Sequence, residues 1–198
     1  MLRTPNSKPL VIAIAGPNGA GKTTLAPFLL RERFGITEYV NADTIALGLS
    51  AFRPEGAAFE AARVMLKRLR ALADGGGDFA FETTLATRSY ATWLEDLKRR
   101  GYSFQLIFLW LRNVELALER VKRRVLTGGH GVPEDVVRRR YVRGARNFFR
   151  SYQPLADSWV LYDNSVSGAE VKVAVGEGVS VTELLEESLW REFEKVAA

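Results

Sequence analysis

Short apolar runs alternate with amphipathic segments over most of the chain. Strands are predicted where β-branched and aromatic residues cluster between turn residues, and helices where apolar residues recur every three or four positions. The strands predicted in this way are 9–15, 39–40, 79–81, 104–111 and 159–162. The predicted helices are 22–34, 54–72, 88–100, 114–126 and 133–149. This alternation predicts an α/β fold of three layers, in which helices flank a mostly parallel sheet of five strands.

The region after the last of these strands has a weaker pattern. Residues 168–198 contain a candidate strand at 171–175 and a helical pattern at 181–196. The length of 198 residues and the hydrophobic content of 47% suit one domain with its own core. We therefore expect residues 1–198 to form a single domain.

Composition excludes several classes of protein. The absence of cysteine excludes a disulfide framework and a thiolate zinc site, and the single histidine, His130, argues against a histidine-rich metal site. The apolar runs are far shorter than the roughly 20 residues of a membrane span. Residues 1–10 are polar and contain two prolines, so they lack the apolar core of a secretory signal. We expect a cytoplasmic protein that does not enter a membrane.

Positive charge is concentrated in one block of the chain. Residues 112–150 contain 11 lysine and arginine residues against 4 acidic ones, a net charge of +7, whereas the whole chain carries +5. Such a block suits an anionic ligand, either phosphates or nucleic acid. It is equally compatible with a solvated helical surface that contains ion pairs, such as Glu134 with Arg138 at i and i+4.

The most specific motif follows the first predicted strand. Residues 16–23 read GPNGAGKT, the phosphate-binding loop pattern of Gly, four residues, Gly, Lys and Thr between a strand and a helix. Glycines let successive backbone N–H groups turn toward phosphate oxygens, and the helix N-terminus adds partial positive charge. The alternative is a glycine-rich turn that binds nothing. We expect instead that Lys22 binds the β- and γ-phosphates of a nucleotide and that Thr23 ligates Mg²⁺. The expected nucleotide-binding residues are Gly16, Pro17, Asn18, Gly19, Ala20, Gly21, Lys22, Thr23 and Thr24.

Three carboxylates follow apolar runs at predicted strand ends, where ligands bind in doubly wound sheets. We expect Asp43 to accept a proton from an acceptor hydroxyl, with the N-cap of a following helix as its alternative role. Glu82 is expected to bind substrate or to act on Mg²⁺ through water, and Thr83 offers a hydroxyl beside it. For Asp163, a functional role and ordinary turn chemistry stay open.

Arginines of the basic block recur at helical spacing. Arg120 and Arg124 share one face, and Arg139, Arg143 and Arg146 share another. Fixed guanidinium groups stabilise the charge that phosphoryl transfer places on the equatorial oxygens of the moving group. Both faces are therefore candidates for contact with nucleotide phosphates.

The break between the two helices of this block reads GGHG at 128–131. Its glycines would allow an arginine-rich lid, formed by residues 113–150, to open and close over the phosphates. For His130 within the break, a solvent-exposed turn position is the favoured interpretation and contact with substrate is the alternative. A nucleic-acid interface would need aromatics interleaved with the charges, and the aromatic spacing here suits core packing as well, so nucleic acid is the less favoured partner.

Several segments together carry a family resemblance. They are 16–24 (GPNGAGKTT), 41–46 (NADTIA), 81–90 (FETTLATRSY), 106–111 (LIFLWL), 120–149 and 162–165 (YDNS). The phosphate-binding loop alone is common to many nucleotide-binding proteins, but its ordered combination with FETTLA and with GGH-x-VPEDV-x-RRRY is much more specific. The chain resembles the zeta-toxin-like P-loop kinases over most of residues 11–165.

This resemblance implies an ATP-dependent kinase that uses Mg²⁺ and phosphorylates a small hydroxyl compound. The family includes kinases of UDP-N-acetylglucosamine, which act at the sugar 3′-hydroxyl. Carried onto this sequence, the resemblance assigns ATP and Mg²⁺ to Lys22 and Thr23, and the role of catalytic base to Asp43. It places Glu82 and Thr83 in the acceptor pocket.

The resemblance also places arginines of the block on the transferring phosphate, with Arg124 and Arg139 preferred and Arg120 and Arg143 as alternates. It brings in an antitoxin as a protein partner, for which the sequence itself contains no sign, and the ten N-terminal residues leave little room for an antitoxin-binding extension. Two other functions stay open. One is an ATPase or nucleotide switch that acts through a protein partner, and the other is a nucleic-acid end kinase.

Overall fold

A computed structural model describes residues 8–166 and 168–198 of the chain. Positions 1–7, on which most of the prediction for residues 1–10 rests, lie outside this range. The strands are β1 (Leu10–Ala15), β2 (Tyr39–Val40), β3 (Phe79–Thr83), β4 (Ser103–Trp110), β5 (Ser158–Asp163), β6 (Val171–Glu177) and β7 (Ser180–Leu184). The helices are α1 (Lys22–Phe28), α2 (Ala42–Leu49), α3 (Ala58–Asp74), α4 (Ser89–Arg99), α5 (Val114–Leu126), α6 (Glu134–Asn147) and α7 (Glu187–Ala197).

The strands form one sheet in the order β2-β3-β1-β4-β5-β6-β7. The first five pair in parallel, and β6 and β7 join the β5 edge as antiparallel strands. The expected α/β fold with a mostly parallel sheet is therefore confirmed. The expected number of strands is wrong, because the sheet has seven strands in the described residues and not five.

The difference in strand number arises in the C-terminal region. The helix predicted at 181–196 is wrong at its start, since β7 occupies Ser180–Leu184 and α7 begins only at Glu187. All five residues of β7 are exposed, so this edge strand lacks the apolar alternation that marks a strand with one buried face. A turn through Gly178, at φ +51°, joins β7 to β6.

The helix predicted at 22–34 is also interrupted. α1 ends at Phe28, and one π-helical turn, Leu29–Arg33, follows it. Pro27 lies inside α1 and has no N–H to donate, so the regular hydrogen-bond pattern cannot pass through it. Gly35, at φ +66°, then ends the helical segment, as expected of a C-terminal glycine.

A cluster of aromatic side chains packs on one face of the sheet. Phe108 and Trp110 of β4 pack on Phe193 of α7, with ring centroids 5.3 and 5.4 Å apart. Phe148, directly after α6, packs on Phe108 at 5.3 Å. Such rings bury large apolar areas, so they anchor α7 and the end of α6 on the sheet.

None of the helices in the described part of the chain has the length and apolar character that a bilayer crossing requires.

The carboxyl ends of the parallel strands meet at one edge of the sheet. β1 ends directly before the glycine-rich loop, and Glu82 of the neighbouring β3 lies opposite Ile14. β2 ends at Val40. Asn41 follows it directly, and then the first turn of α2, which contains Asp43. The topology therefore brings these three chain segments to one place, where ligands of such sheets bind.

Candidate active site

The glycine-rich loop connects the end of β1 to Lys22, the first residue of α1. Three of its glycines have positive φ: +138° at Gly16, +78° at Gly19 and +81° at Gly21. A Cβ at Gly16 would lie 2.1 Å from a carbonyl oxygen of β4, and a Cβ at Gly21 would lie 2.6 Å from Nδ2 of Asn164. The backbone conformation and the lack of space therefore exclude a side chain at Gly16 and at Gly21. Glycines at such positions let the loop curve around a phosphate.

The Lys22 side chain is buried beside the loop, with 6% of it exposed. Its Nζ donates to the carbonyl oxygen of Pro17 at 2.9 Å and lies 3.6 Å from Oε1 of Glu82. Burial lowers the pKa of the Lys22 ammonium, and the negative charges of Glu82 and Asp43 oppose that shift. The ammonium is thus held where a phosphate oxygen can replace the Pro17 carbonyl as its acceptor.

Glu82, near the end of β3, is the centre of a hydrogen-bond network. Its Oε2 accepts from Thr23 Oγ1 at 2.9 Å, from the Tyr39 hydroxyl at 2.6 Å and from Asn41 Nδ2 at 2.8 Å. Burial and the nearby Glu82 carboxylate raise the pKa of Tyr39, so its hydroxyl keeps its proton and stays a donor. The Glu82 carboxylate is therefore fixed by groups from β2, the start of α2 and α1.

Asp43 lies in the first turn of α2 without being its N-cap. Asn41 caps the helix, because its Oδ1 accepts from the N–H of Asp43 at 2.7 Å and from that of Thr44 at 3.4 Å. The capping alternative for Asp43 is therefore wrong. The Asp43 side chain is 45% exposed, and its Oδ2 lies 3.2 Å from Nε2 of His130 and 3.8 Å from Nη1 of Arg124. Its carboxylate is available for chemistry at the cleft.

Two cavities share a wall at these residues. The smaller, which we call the loop cavity, has a volume of about 210 Å³ and lies over the glycine-rich loop. The larger, which we call the side cavity, has a volume of about 340 Å³ and lies beside α2, α3 and the segment after β3. The residues that border both are Asn18, Lys22, Asp43 and Glu82. The side cavity is further bordered by Met65, Leu66, Thr83, Thr84, Thr87, Ser89, Tyr90 and Arg140.

Arg120 and Arg124 of α5 border the loop cavity. Arg120 donates from Nη2 to the carbonyl oxygen of Ser165 at 2.9 Å and from Nη1 to that of Gly19 at 3.4 Å. Arg124 donates from Nε to the carbonyl oxygen of His130 at 3.2 Å. Both guanidinium groups, singled out from the sequence, are thus held beside the glycine-rich loop.

The arginine face singled out on α6 lies outside both cavities. Arg139 has its Nη1 3.6 Å from Oδ2 of Asp135, and Arg143 is exposed. Arg146 donates from Nε to the carbonyl oxygen of Ala197 at 3.4 Å. These contacts place the face formed by the three arginines toward solvent and the C-terminus.

Arg140, which the sequence reasoning did not single out, borders the side cavity. Its Nη1 donates to Oδ1 of Asn18 at 3.4 Å. Burial lowers the pKa of the Arg140 guanidinium, and the negative charge of Asp43 opposes that shift. Arg140 lies three residues after Val137 and four before Gly144, which are both buried. This spacing marks the inner face of α6 and is the signal that identifies Arg140.

Asp163 and Thr83 both accept hydrogen bonds from other groups of the protein. Asp163 is 1% exposed and accepts from Nε of Arg112 at 2.8 Å and from the N–H of Ser165 at 3.0 Å, which favours its turn role. Thr83 Oγ1 accepts from the N–H of Leu85 at 3.1 Å and borders the side cavity. Thr83 can therefore contact a ligand in that cavity.

The loop cavity contains oxygen atoms suited to Mg²⁺. Thr23 Oγ1 and a carboxylate oxygen of Glu82 lie 2.9 Å apart at its border. Within residues 8–166 and 168–198, the side chains of His, Cys, Asp and Glu form no group of three or more that could hold a metal ion. Mg²⁺ is typically bound by one or two protein oxygens together with phosphates and water. The residues present therefore fit a Mg²⁺ that binds together with a nucleotide.

A buried strand, a curved glycine-rich loop and a helix opened by lysine, on a mostly parallel sheet of this order, define a P-loop nucleotide-binding protein. The chain belongs to the family described as AAA domain, whose model matches residues 11–150. The matched segment includes the phosphate-binding loop, Glu82, the arginines of α5 and Arg140. The P-loop fold expected from the sequence is confirmed.

Comparison with known proteins adds one relative in sequence and two in structure. An uncharacterized protein of Haemophilus influenzae is 30% identical over 130 residues, which are 66% of this chain and 91% of that protein. The complex AvrRxo1-ORF1:-ORF2 with ATP matches with a TM-score of 0.72 and 20% identity over 98% of this chain, which spans 64% of the matched chain. The PezAT toxin-antitoxin system of Streptococcus pneumoniae matches with a TM-score of 0.59 and 16% identity, over 98% of this chain and 87% of the other. These structural likenesses establish the fold.

Proposed function

We propose that the protein is a kinase that transfers the γ-phosphate of ATP to a hydroxyl group of a small molecule. The observation that supports this most strongly is the wall shared by the loop cavity and the side cavity, which contains Lys22, Asp43 and Glu82. A phosphate donor in the loop cavity and an acceptor in the side cavity would meet at Asp43. A nucleotide switch has no need of a second, polar cavity beside its phosphate site.

On the donor side, the N–H groups of the glycine-rich loop and the Lys22 ammonium bind the phosphates of ATP. Arg120 and Arg124 add fixed positive charge beside the loop, where it stabilises the charge of the moving phosphoryl group. Thr23 and Glu82 are the residues that would hold Mg²⁺, directly or through water. A Mg²⁺ ion held there would neutralise part of the charge of the phosphates.

On the acceptor side, Asp43 is the catalytic base. The acceptor oxygen forms a bond to the γ-phosphorus, the bond between that phosphorus and ADP breaks, and the hydroxyl proton passes to the Asp43 carboxylate. The carboxylate borders both cavities and its side chain is 45% exposed, so it can reach an acceptor hydroxyl in the side cavity.

The composition of the side cavity favours a polar, anionic acceptor. Thr83, Thr84, Thr87 and Ser89 supply hydroxyl groups for hydrogen bonds to a sugar, and Arg140 supplies a cation for a phosphate or diphosphate group. Nucleotide sugars combine both features, and UDP-N-acetylglucosamine is the favoured member, as the family resemblance implies. We therefore assign Thr83 and Arg140 to acceptor binding.

The arginine roles differ from those expected from the sequence. We propose Arg124 and Arg120 for the transferring phosphate, because they border the loop cavity. We propose Arg140 in place of Arg139 and Arg143, because it borders the side cavity, whereas Arg139 pairs with Asp135 and Arg143 is exposed. A lid formed by residues 113–150 stays a prediction.

A mass-spectrometric screen tests the proposed function. The protein is incubated with Mg²⁺, ATP and single acceptors from three groups, namely nucleotide sugars, nucleosides and short oligonucleotides. We expect a nucleotide sugar to gain the mass of one phosphate in an amount equal to the ADP formed, and we expect Lys22→Ala to abolish the product.

Two outcomes of the screen would contradict the proposal. Fast ATP hydrolysis that no acceptor raises would indicate an ATPase that acts through a protein partner, and both similar structures named above belong to two-protein systems. Phosphate found only on oligonucleotide ends, with binding that weakens steeply as salt rises, would indicate a nucleic-acid end kinase.

A further inference from the structure

His130 lies largely covered against the Asp43 carboxylate, contrary to the exposed turn position expected from the sequence. Only 14% of its side chain is exposed, and its Nε2 lies 3.2 Å from Oδ2 of Asp43. The chain contains one histidine, so this contact is made by the sole imidazole of the protein. The glycine-rich break between α5 and α6 therefore contributes a side chain to the active site.

The break is wrapped around Arg124, which holds His130 in place. Arg124 donates from Nε to the carbonyl oxygen of His130 at 3.2 Å, and the Gly129 N–H donates to the carbonyl oxygen of Arg124 at 2.8 Å. A Cβ at Gly129 would lie 2.5 Å from Cγ of Arg124, so a larger residue at this position would displace the arginine or the loop. His130 is thus fixed by α5 as well as by its own segment.

Two charged groups face the His130 ring. They are the Asp43 carboxylate at 3.2 Å and the Arg124 guanidinium, whose Nη2 lies 3.5 Å from Nε2. The guanidinium has no acceptor to offer, whereas the carboxylate accepts. A lone pair on Nε2 would accept from the Arg124 guanidinium at 3.5 Å, whereas a proton on Nε2 would serve the Asp43 carboxylate at 3.2 Å; the shorter distance favours the proton.

Both neighbours contact the same oxygen of Asp43. His130 Nε2 and Arg124 Nη1 lie 3.2 and 3.8 Å from Oδ2, so Oδ1 is left for a ligand at the cavity wall. A carboxylate that is 45% exposed would otherwise rotate among several orientations, and only some of them direct a lone pair at an acceptor hydroxyl. Fixing one oxygen selects the orientation of the other.

We propose that His130 is a positioning residue for Asp43: its Nε2–H donates to Oδ2 and thereby directs Oδ1 at the acceptor hydroxyl. This inference rests on the proposed function, in which Asp43 is the catalytic base. During transfer the hydroxyl proton passes to Oδ1 of Asp43, and His130 keeps its own proton. The loss of His130 should therefore slow the chemical step without weakening ATP binding.

The first test is an NMR measurement that needs no turnover. In protein labelled with ¹⁵N-histidine, the single imidazole produces one pair of ring nitrogen signals. At alkaline pH we expect the Nε2–H form, with an Nε2-bound proton that exchanges slowly enough to be observed, and Asp43→Ala should abolish this protection. An Nδ1–H form, or an unchanged proton signal in Asp43→Ala, would overturn the inference.

The second test uses three substitutions of His130. The amide nitrogen of Gln reaches close to the position of Nε2, whereas that of Asn reaches only the position of Nδ1, and Ala has no donor. We expect Ala and Asn to lower kcat by about 10- to 100-fold with the KM for ATP little changed, and Gln to restore kcat to within about threefold of the wild type. Equal activity of the Gln and Ala variants, or a loss confined to KM, would contradict a positioning role.

The two tests separate this inference from the proposed function. A wild-type protein that phosphorylates no acceptor would contradict the proposed function, while the NMR signals would still report the contact between His130 and Asp43. A missing contact in a protein that does transfer phosphate would overturn the role of His130 and leave the kinase intact.

Discussion

Glu82 and Asp43 are two carboxylates at neighbouring strand ends, and their surroundings differ. Glu82 is 11% exposed and accepts three hydrogen bonds of 2.6 to 2.9 Å from Thr23, Tyr39 and Asn41. Asp43 is 45% exposed, and its neighbours, at 3.2 and 3.8 Å, come from the end of α5 and the glycine-rich break after it. Glu82 is held by residues at the carboxyl edge of the sheet, and Asp43 is held by the segment that is predicted to move.

The difference suggests a division of labour between the two groups. The Glu82 network orients Lys22 and Thr23, so the donor side of the site is assembled without the help of substrate. Asp43 lies on the first turn of α2, where movement of the break carrying His130 would change its orientation. Preorganised binding of the nucleotide and adjustable placement of the base would then reside in separate parts of the molecule.

The largest expected difference between the two carboxylates is in stability. Glu82→Ala leaves the donors of Tyr39 and Asn41 without their acceptor and Lys22 without its ion-pair partner, which should cost about 3 kcal/mol of unfolding free energy. Asp43→Ala removes an exposed group that does not cap α2, and it should change stability by less than about 0.5 kcal/mol. Urea unfolding of the two variants and the wild type measures both values, and equal losses would remove the distinction between the two regions.

A smaller effect is expected from two adjacent arginines of α6. Arg140→Ala removes the cation that borders the side cavity and should raise the KM for an anionic acceptor by about tenfold, as the loss of a charge-assisted hydrogen bond requires. Arg139→Ala removes a surface ion pair and should leave that KM within about twofold. Steady-state kinetics with varied acceptor compares them, and a larger rise for Arg139→Ala would restore the assignment made from the sequence.

Much of the fold could be predicted because its central strands are buried on both faces. β1 is a continuous apolar run, and β4 is one from Leu106 to Trp110, so both can be recognised without a structure. All residues of β7 are exposed, so no buried face marks this strand in the sequence. α2 begins after its N-cap, Asn41, and the sequence alone does not distinguish capping by Asn41 from capping by Asp43. Edge strands and short helices carry less of their information in hydrophobic pattern.

The candidate site could be predicted as far as single motifs reach. Lys22 follows from its loop, and Asp43 and Glu82 follow from their positions after strands. The partnership of Tyr39 with Glu82 depends on the placement of β2 beside β3, which adjacency in sequence does not reveal.

The other missed residues depend on helix phase and loop path. Arg140 differs from Arg139 only by one step of 100° around α6, so the basic run alone does not choose between them. His130 reaches Asp43 because its loop folds back over Arg124, a path that composition does not encode.

We propose that Asp43 takes the proton of the acceptor hydroxyl, while the rest of the site binds the nucleotide. The most direct measurement compares Asp43→Asn with the wild type in two assays, calorimetric binding of Mg·ATP and phosphate transfer to the acceptor found in the screen. We expect the Kd for Mg·ATP to change by less than about threefold and transfer to fall by about 10²- to 10⁴-fold, the usual contribution of a general base. Transfer at the wild-type rate by Asp43→Asn would contradict the claim.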